Sequence, residues 1–121
     1  MRYLCLIYFD PQQLFNQSPE SNAVLAEVGP HDAELKANGR LIASEALTLP
    51  QEAMTVKVRD GKMSATDGPF LETKEMLGGF LLIEARDLND AVQVASRIPF
   101  ARMGVVEVRP VVDFSSPRPE L

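Results

Sequence analysis

The run Tyr3-Leu4-Cys5-Leu6-Ile7-Tyr8-Phe9 is apolar at every position. A strand with one wet face alternates; a run without alternation predicts a central strand, Arg2 to Phe9, covered on both sides. Asp10-Pro11 ends it, because proline has no N–H to give to a sheet ladder. Gly79-Phe80-Leu81-Leu82-Ile83-Glu84 reads as a second strand of the same kind. Both strands are expected to be covered on both sides, in a chain of 121 residues that makes one domain.

The segments between them supply the remaining parts. Ser18-Pro19-Glu20 announces a helix, with Ser18 as the cap, Pro19 in the first turn and Glu20 at the positive end of the dipole. The helix is expected to reach Asn38, with Gly39 as its left-handed stop and a kink, or a break into two short helices, at Gly29-Pro30. If the helical phase survives, Val24, Val28, His31 and Leu35 form one stripe facing the sheet. Arg40 to Leu47 reads as a strand. Met54–Arg59 and Lys62–Thr66 are short alternating runs joined at Asp60-Gly61, a strong hairpin signal. Asp87 caps a second helix with the stripe Leu88, Ala91, Val92, Ala95 and Ile98, closed by Pro99. Val105 to Val111 is the last strand, with Val106 and Val108 on one face and Glu107 and Arg109 on the other. The expected domain is residues 1–112, followed by a loose tail over 113–121.

The order is β-α-β, a hairpin, then β-α-β. This is an α+β chain: a ferredoxin-like split βαβ sandwich with an inserted β-hairpin and both helices on one sheet face. The other face stays apolar through Leu4, Leu6 and Tyr8, so a homodimer closing sheet against sheet is expected.

Composition narrows the function classes. Twelve Lys and Arg against 17 Asp and Glu give a net charge of −5, without the basic cluster that nucleic acid or an anionic membrane surface requires. The lone Cys5 permits neither an intrachain disulfide nor a multi-thiolate metal site, and it reads as a small buried hydrophobe. No apolar run is long enough to span a bilayer, and Asp10-Pro11 follows the first one without a cleavage signal. A cytoplasmic protein without a cofactor or a metal is expected.

Thr66-Asp67-Gly68-Pro69-Phe70-Leu71-Glu72-Thr73-Lys74-Glu75-Met76-Leu77-Gly78-Gly79-Phe80 resembles the signature of the YCII-related, DGPF-motif family of bacterial proteins. Tyr3–Tyr8 and Val106–Val111 extend the likeness over about residues 1–112. The resemblance implies a dimeric α+β barrel. It also implies a setting beside extracytoplasmic-function sigma factors, and no single reaction. In a smaller branch, a His on the first helix and an Asp act as an acid–base pair.

The candidate residues each have two readings. Asp67 either starts a turn with Gly68 and Pro69 or delivers a carboxylate to a pocket at the strand end. His31 is either a hydrogen-bonded core residue or a proton-transfer group. Asp32 points about 100° away on a helix, so the partner for His31 has to come from elsewhere, such as Asp67. Arg109 either pairs with Glu107 or holds an anionic ligand. Phe70 and Lys74 are further candidate ligand contacts; Ser44 and Glu45 are weaker ones. Two functions follow. One is a small-ligand or protein-binding module in a regulatory setting; the other is a cofactor-free enzyme using His31 and Asp67 on a small molecule.

Overall fold

The computed structural model describes residues 1–115 and 117. The last residues of the expected tail, 116 and 118–121, lie outside them. Strand β1 (Arg2–Phe9) leads into a one-turn helix α1 (Pro11–Leu14) and then α2 (Pro19–Ala37). Strand β2 (Leu41–Ala46) and the ribbon β3 (Met54–Arg59) and β4 (Lys62–Asp67) precede β5 (Met76–Glu84), α3 (Leu88–Ala95) and β6 (Gly104–Pro110). Four strands form an antiparallel sheet in the order β2-β5-β1-β6, and β3-β4 stand apart as a two-stranded sheet. That is the ferredoxin-like split βαβ sandwich with an inserted hairpin, the fold of α+β barrels.

The register explains the doubly apolar strands. β1 is flanked by β5 and β6, with Cys5 opposite both Leu81 and Val108. Tyr3, Cys5, Ile7, Phe9, Leu81 and Ile83 are buried beneath the helices with Leu14, Val24, Val94 and Ile98. Leu4, Leu6, Tyr8, Phe80 and Leu82 occupy the opposite face and stay partly exposed. Gly78 is the extra residue of a bulge in β5, between the pairs Ile7–Gly79 and Tyr8–Leu77. A Cβ there would run into the ring of Phe9, which would have to shift to admit it.

Capping chemistry sets the helix ends. Ser18 Oγ accepts from the Ser21 amide at 3.1 Å, and Asp87 Oδ1 accepts from the Asp90 amide at 2.8 Å. At the far end of α2, Gly39 takes φ +74°, and the amides of Gly39 and Arg40 donate back to the carbonyls of Lys36 and Leu35. This Schellman closure turns Arg40 out of the helix axis.

Three local expectations change. α2 passes through Gly29-Pro30 as one helix, without the break into two. Ala26, whose carbonyl loses its donor to Pro30, is exposed, so water can take the place of the missing N–H. In α3, Leu88 and Val92 are exposed while Asp90, Ala91, Val94 and Ala95 are buried. The stripe is therefore rotated toward Asp90, which is drawn inward by Arg40. α3 ends at Ala95, and Pro99 opens a 3-10 turn, Pro99–Arg102.

Candidate functional site

His31 sits on the inward stripe of α2, with Val24 buried one end and Leu35 half-buried at the other. It lines an open cleft of about 500 Å³ between α2 and α3, together with Glu34, Asn38, Arg40 and Arg97. Its Nδ1 lies 2.9 Å from Asp32 Oδ1. The His31 and Asp32 side chains are 17% and 28% exposed, so the pair is shielded yet reachable.

Adjacent helical residues diverge by about 100° at their Cα–Cβ bonds. The two side chains nonetheless turn toward each other, and Asp32, not Asp67, supplies the carboxylate. The sequence signal was the His-Asp dipeptide itself; reading only backbone directions hides it.

Asp32 opens on the other side of α2, onto a pocket of about 320 Å³ that reaches the edge strand β2. Phe9, Phe15, Val28, Leu81 and Phe100 line its apolar part, and Ser44 of β2 contributes a hydroxyl. Phe9 stacks on Phe100 at 5.6 Å between ring centroids and meets Phe15 edge-on at 5.9 Å. Short α1 creates this wall: Asp10 caps it by accepting from the Gln12 amide at 3.0 Å, which sets Leu14 in the core and Phe15 at the pocket rim.

The other candidates lie elsewhere. Asp67 ends β4 on an exposed position of the ribbon, and no ion pair or hydrogen bond joins it to His31 among the described residues. The turn after it is held by backbone: Gly68, at φ +96°, donates to the Ala53 carbonyl at 2.7 Å and accepts from Thr55 Oγ1 at 2.8 Å. Phe70 lines a third cavity of about 850 Å³ with Tyr8, Leu47, Leu49, Pro69 and Leu77. Lys57 Nζ lies 5.9 Å from the centre of its ring. Lys74 is exposed in the same loop. Arg109 stands on the open sheet face with its Nε 3.8 Å from Glu107 Oε2. Glu45 shares that face, through its pairing with Phe80.

One charged cluster had no signal in the sequence. Asp90, 8% exposed, accepts from Arg40 at 2.5 Å and from the Arg86 amide at 3.0 Å. These hydrogen bonds, that of Arg40 foremost, hold its carboxyl well below the usual carboxylate range. Because Arg40 also lines the His31 cleft, the cluster fixes one wall of it. Cys5 is sealed in the core, and burial pushes its thiol up to about 11. No group of three or more His, Cys, Asp or Glu side chains is placed to hold a metal ion among the described residues. No described helix is long and apolar enough to cross a membrane.

Comparisons with known proteins agree with this architecture. The chain is similar to 5-chloro-2-hydroxyhydroquinone dehydrochlorinase from Burkholderia phenoliruptrix AC1100, whose structure holds 2,5-dihydroxybenzoquinone. The TM-score is 0.51 at 16% identity, over 93% of this chain and 94% of that one. At that identity the likeness speaks for the fold. An uncharacterized protein of Rhizobium meliloti (strain 1021) is 32% identical over 114 residues, 92% of each chain. The YCII-related domain model matches residues 1–115. With that span and the DGPF turn at Asp67–Phe70, the chain belongs to the YCII-related family.

Proposed function

We propose that this protein is an enzyme that moves a proton on a small, ring-sized molecule with its own His31 and Asp32. The observation that carries the reading is the 2.9 Å His31–Asp32 contact at the edge of a largely apolar pocket. Asp32, which faces the pocket, takes the ring's proton on its carboxylate, and His31, on the cleft side of α2, donates Nδ1–H to that carboxylate and holds it in place. A cavity of about 150 Å³ walled by apolar side chains is enough to take up benzene. The 320 Å³ here suits one substituted ring, with Ser44 and Asp32 as its polar contacts. The similar dehydrochlorinase, which acts on a hydroxylated ring, supports this choice of substrate size. The protein would act in the cytoplasm as a homodimer.

The test is chloride release from 5-chloro-2-hydroxyhydroquinone, paired with amide NMR shifts on adding 2,5-dihydroxybenzoquinone. Turnover above buffer is expected, falling by about 10²- to 10⁴-fold in His31→Gln and in Asp32→Asn. The quinone should shift the signals of Asp32, Ser44 and Leu81. Variants as active as the parent, or shifts confined to the Phe70 cavity, would sink the reading.

A second reading, a small-ligand or protein-binding module in a sigma-factor-linked setting, is favoured by the 850 Å³ cavity at the DGPF turn. That cavity is larger and walled mainly by apolar side chains. Phe70 is the ligand contact in this reading, and the quinone shifts would then gather around Pro69 to Leu71.

A further inference from the structure

The β3–β4 ribbon is built inside out. Thr55 and Lys57 face its own chain: Thr55 bonds the Gly68 carbonyl, and Lys57 lies over the Phe70 ring. Met54, Val56 and Val58 alternate with them and sit opposite Asp67, Ala65 and Met63, so they share the outward face. Val56 is 60% exposed and Met63 68%. No helix or other strand packs closely on the ribbon among the described residues. A two-stranded ribbon is marginal by itself in water, and one with its apolar side outward gains nothing from its own body.

We infer that this ribbon is an arm that lies across a second copy of the chain, its apolar face on that copy's Leu47, Phe70, Leu71 and Leu77. These four are all exposed, at the mouth of the 850 Å³ cavity. The cavity is therefore complete only in the dimer. This rests on the homodimer proposed above and is independent of the His31–Asp32 chemistry.

Exposure argues for this occupant: Val56, Val58 and Met63 on the ribbon and Phe70, Leu71 and Leu77 at the cavity mouth are all exposed, so both apolar patches lack a cover in the single chain. The surface is also continuous, since Tyr8 and Leu77 belong both to the open face and to the cavity wall. Charge agrees as well. Residues 54–67 carry three basic and two acidic side chains, +1 in a chain of −5, so the body they meet is at −6.

Light scattering and sedimentation on the full chain test the arm. Val56→Asp/Val58→Asp should keep the native circular dichroism and weaken self-association by at least about 10-fold. Phe70→Asp/Leu71→Asp should do the same from the other side. Mixing Val56→Cys chains with Leu71→Cys chains and a short bismaleimide should give a crosslinked dimer that neither gives alone; buried Cys5 does not compete. A dimer unaffected by the Val56/Val58 change overturns the arm and leaves the sheet-to-sheet homodimer standing. Val56→Cys chains that crosslink among themselves overturn it in favour of ribbon against ribbon. A parent chain that is monomeric at micromolar concentration overturns arm and homodimer together.

Discussion

The Asp90 carboxylate gathers the side chain of Arg40 and the backbone of Arg86 into one knot between α2, β5 and α3. Its folded-state acidity is raised, so the stabilisation is present above the unfolded carboxyl value of about 3.9 and is lost as pH falls toward the lower folded value. Thermal unfolding followed from pH 7 to pH 2 should show the midpoint dropping below about pH 4. Asp90→Asn should start several degrees lower at pH 7 and have a shallower acid limb; an unchanged limb would remove Asp90 from the account. The inward turn of His31 was legible from the Val24, Val28, His31, Leu35 stripe. Its partner was not, because helix periodicity reports where Cβ atoms point and says nothing of where two torsions later a carboxylate ends. Asp90 was hidden for the same kind of reason: an acidic residue reads as a solvated face until the arginine that neutralises it, 50 positions away, is placed beside it.

Elements were read more reliably than residues, wherever a cap or a turn marks them. Ser18, Asp87, Gly39 and Asp60-Gly61 act locally, and their elements start or stop where they stand. The unbroken α2 is the exception, since the cost of Pro30 depends on whether the orphaned carbonyl is buried. Pro30→Ala restores the hydrogen bond to Ala26 and should stabilise the protein by about 1–3 kcal/mol in urea unfolding. A loss of stability would mean that the helix needs its proline. β5 shows the opposite sensitivity: its start at Met76 escaped the sequence because Gly78-Gly79 reads as a break. Gly78→Ala drives a methyl into Phe9, which is wedged between Phe15 and Phe100. A destabilisation of about 1–3 kcal/mol is expected, read as a lower urea midpoint with an unchanged slope.

The whole molecule was legible through its order of elements, which admits the split βαβ sheet and little else. The ribbon's orientation was not, because alternation reveals that a strand has two faces and not which one its own body takes. Leu6→Glu, in the middle of the open face, should leave the chain folded and, in the homodimer proposed above, halve the mass in light scattering; an intact dimer would mean that the sheets do not meet. The position of β1 reaches further, into how the chain acquires its fold. Arg2–Phe9 is made before both of its neighbours, and Tyr3 waits for Ile83 on one side and Pro110 on the other. Until β5 and β6 are made, this apolar strand has no partner in the sheet, and every ladder it joins must close a long loop. The sheet therefore cannot close before β5 and β6 are made, and a nascent chain halted before β5 exposes a strand with two sticky faces.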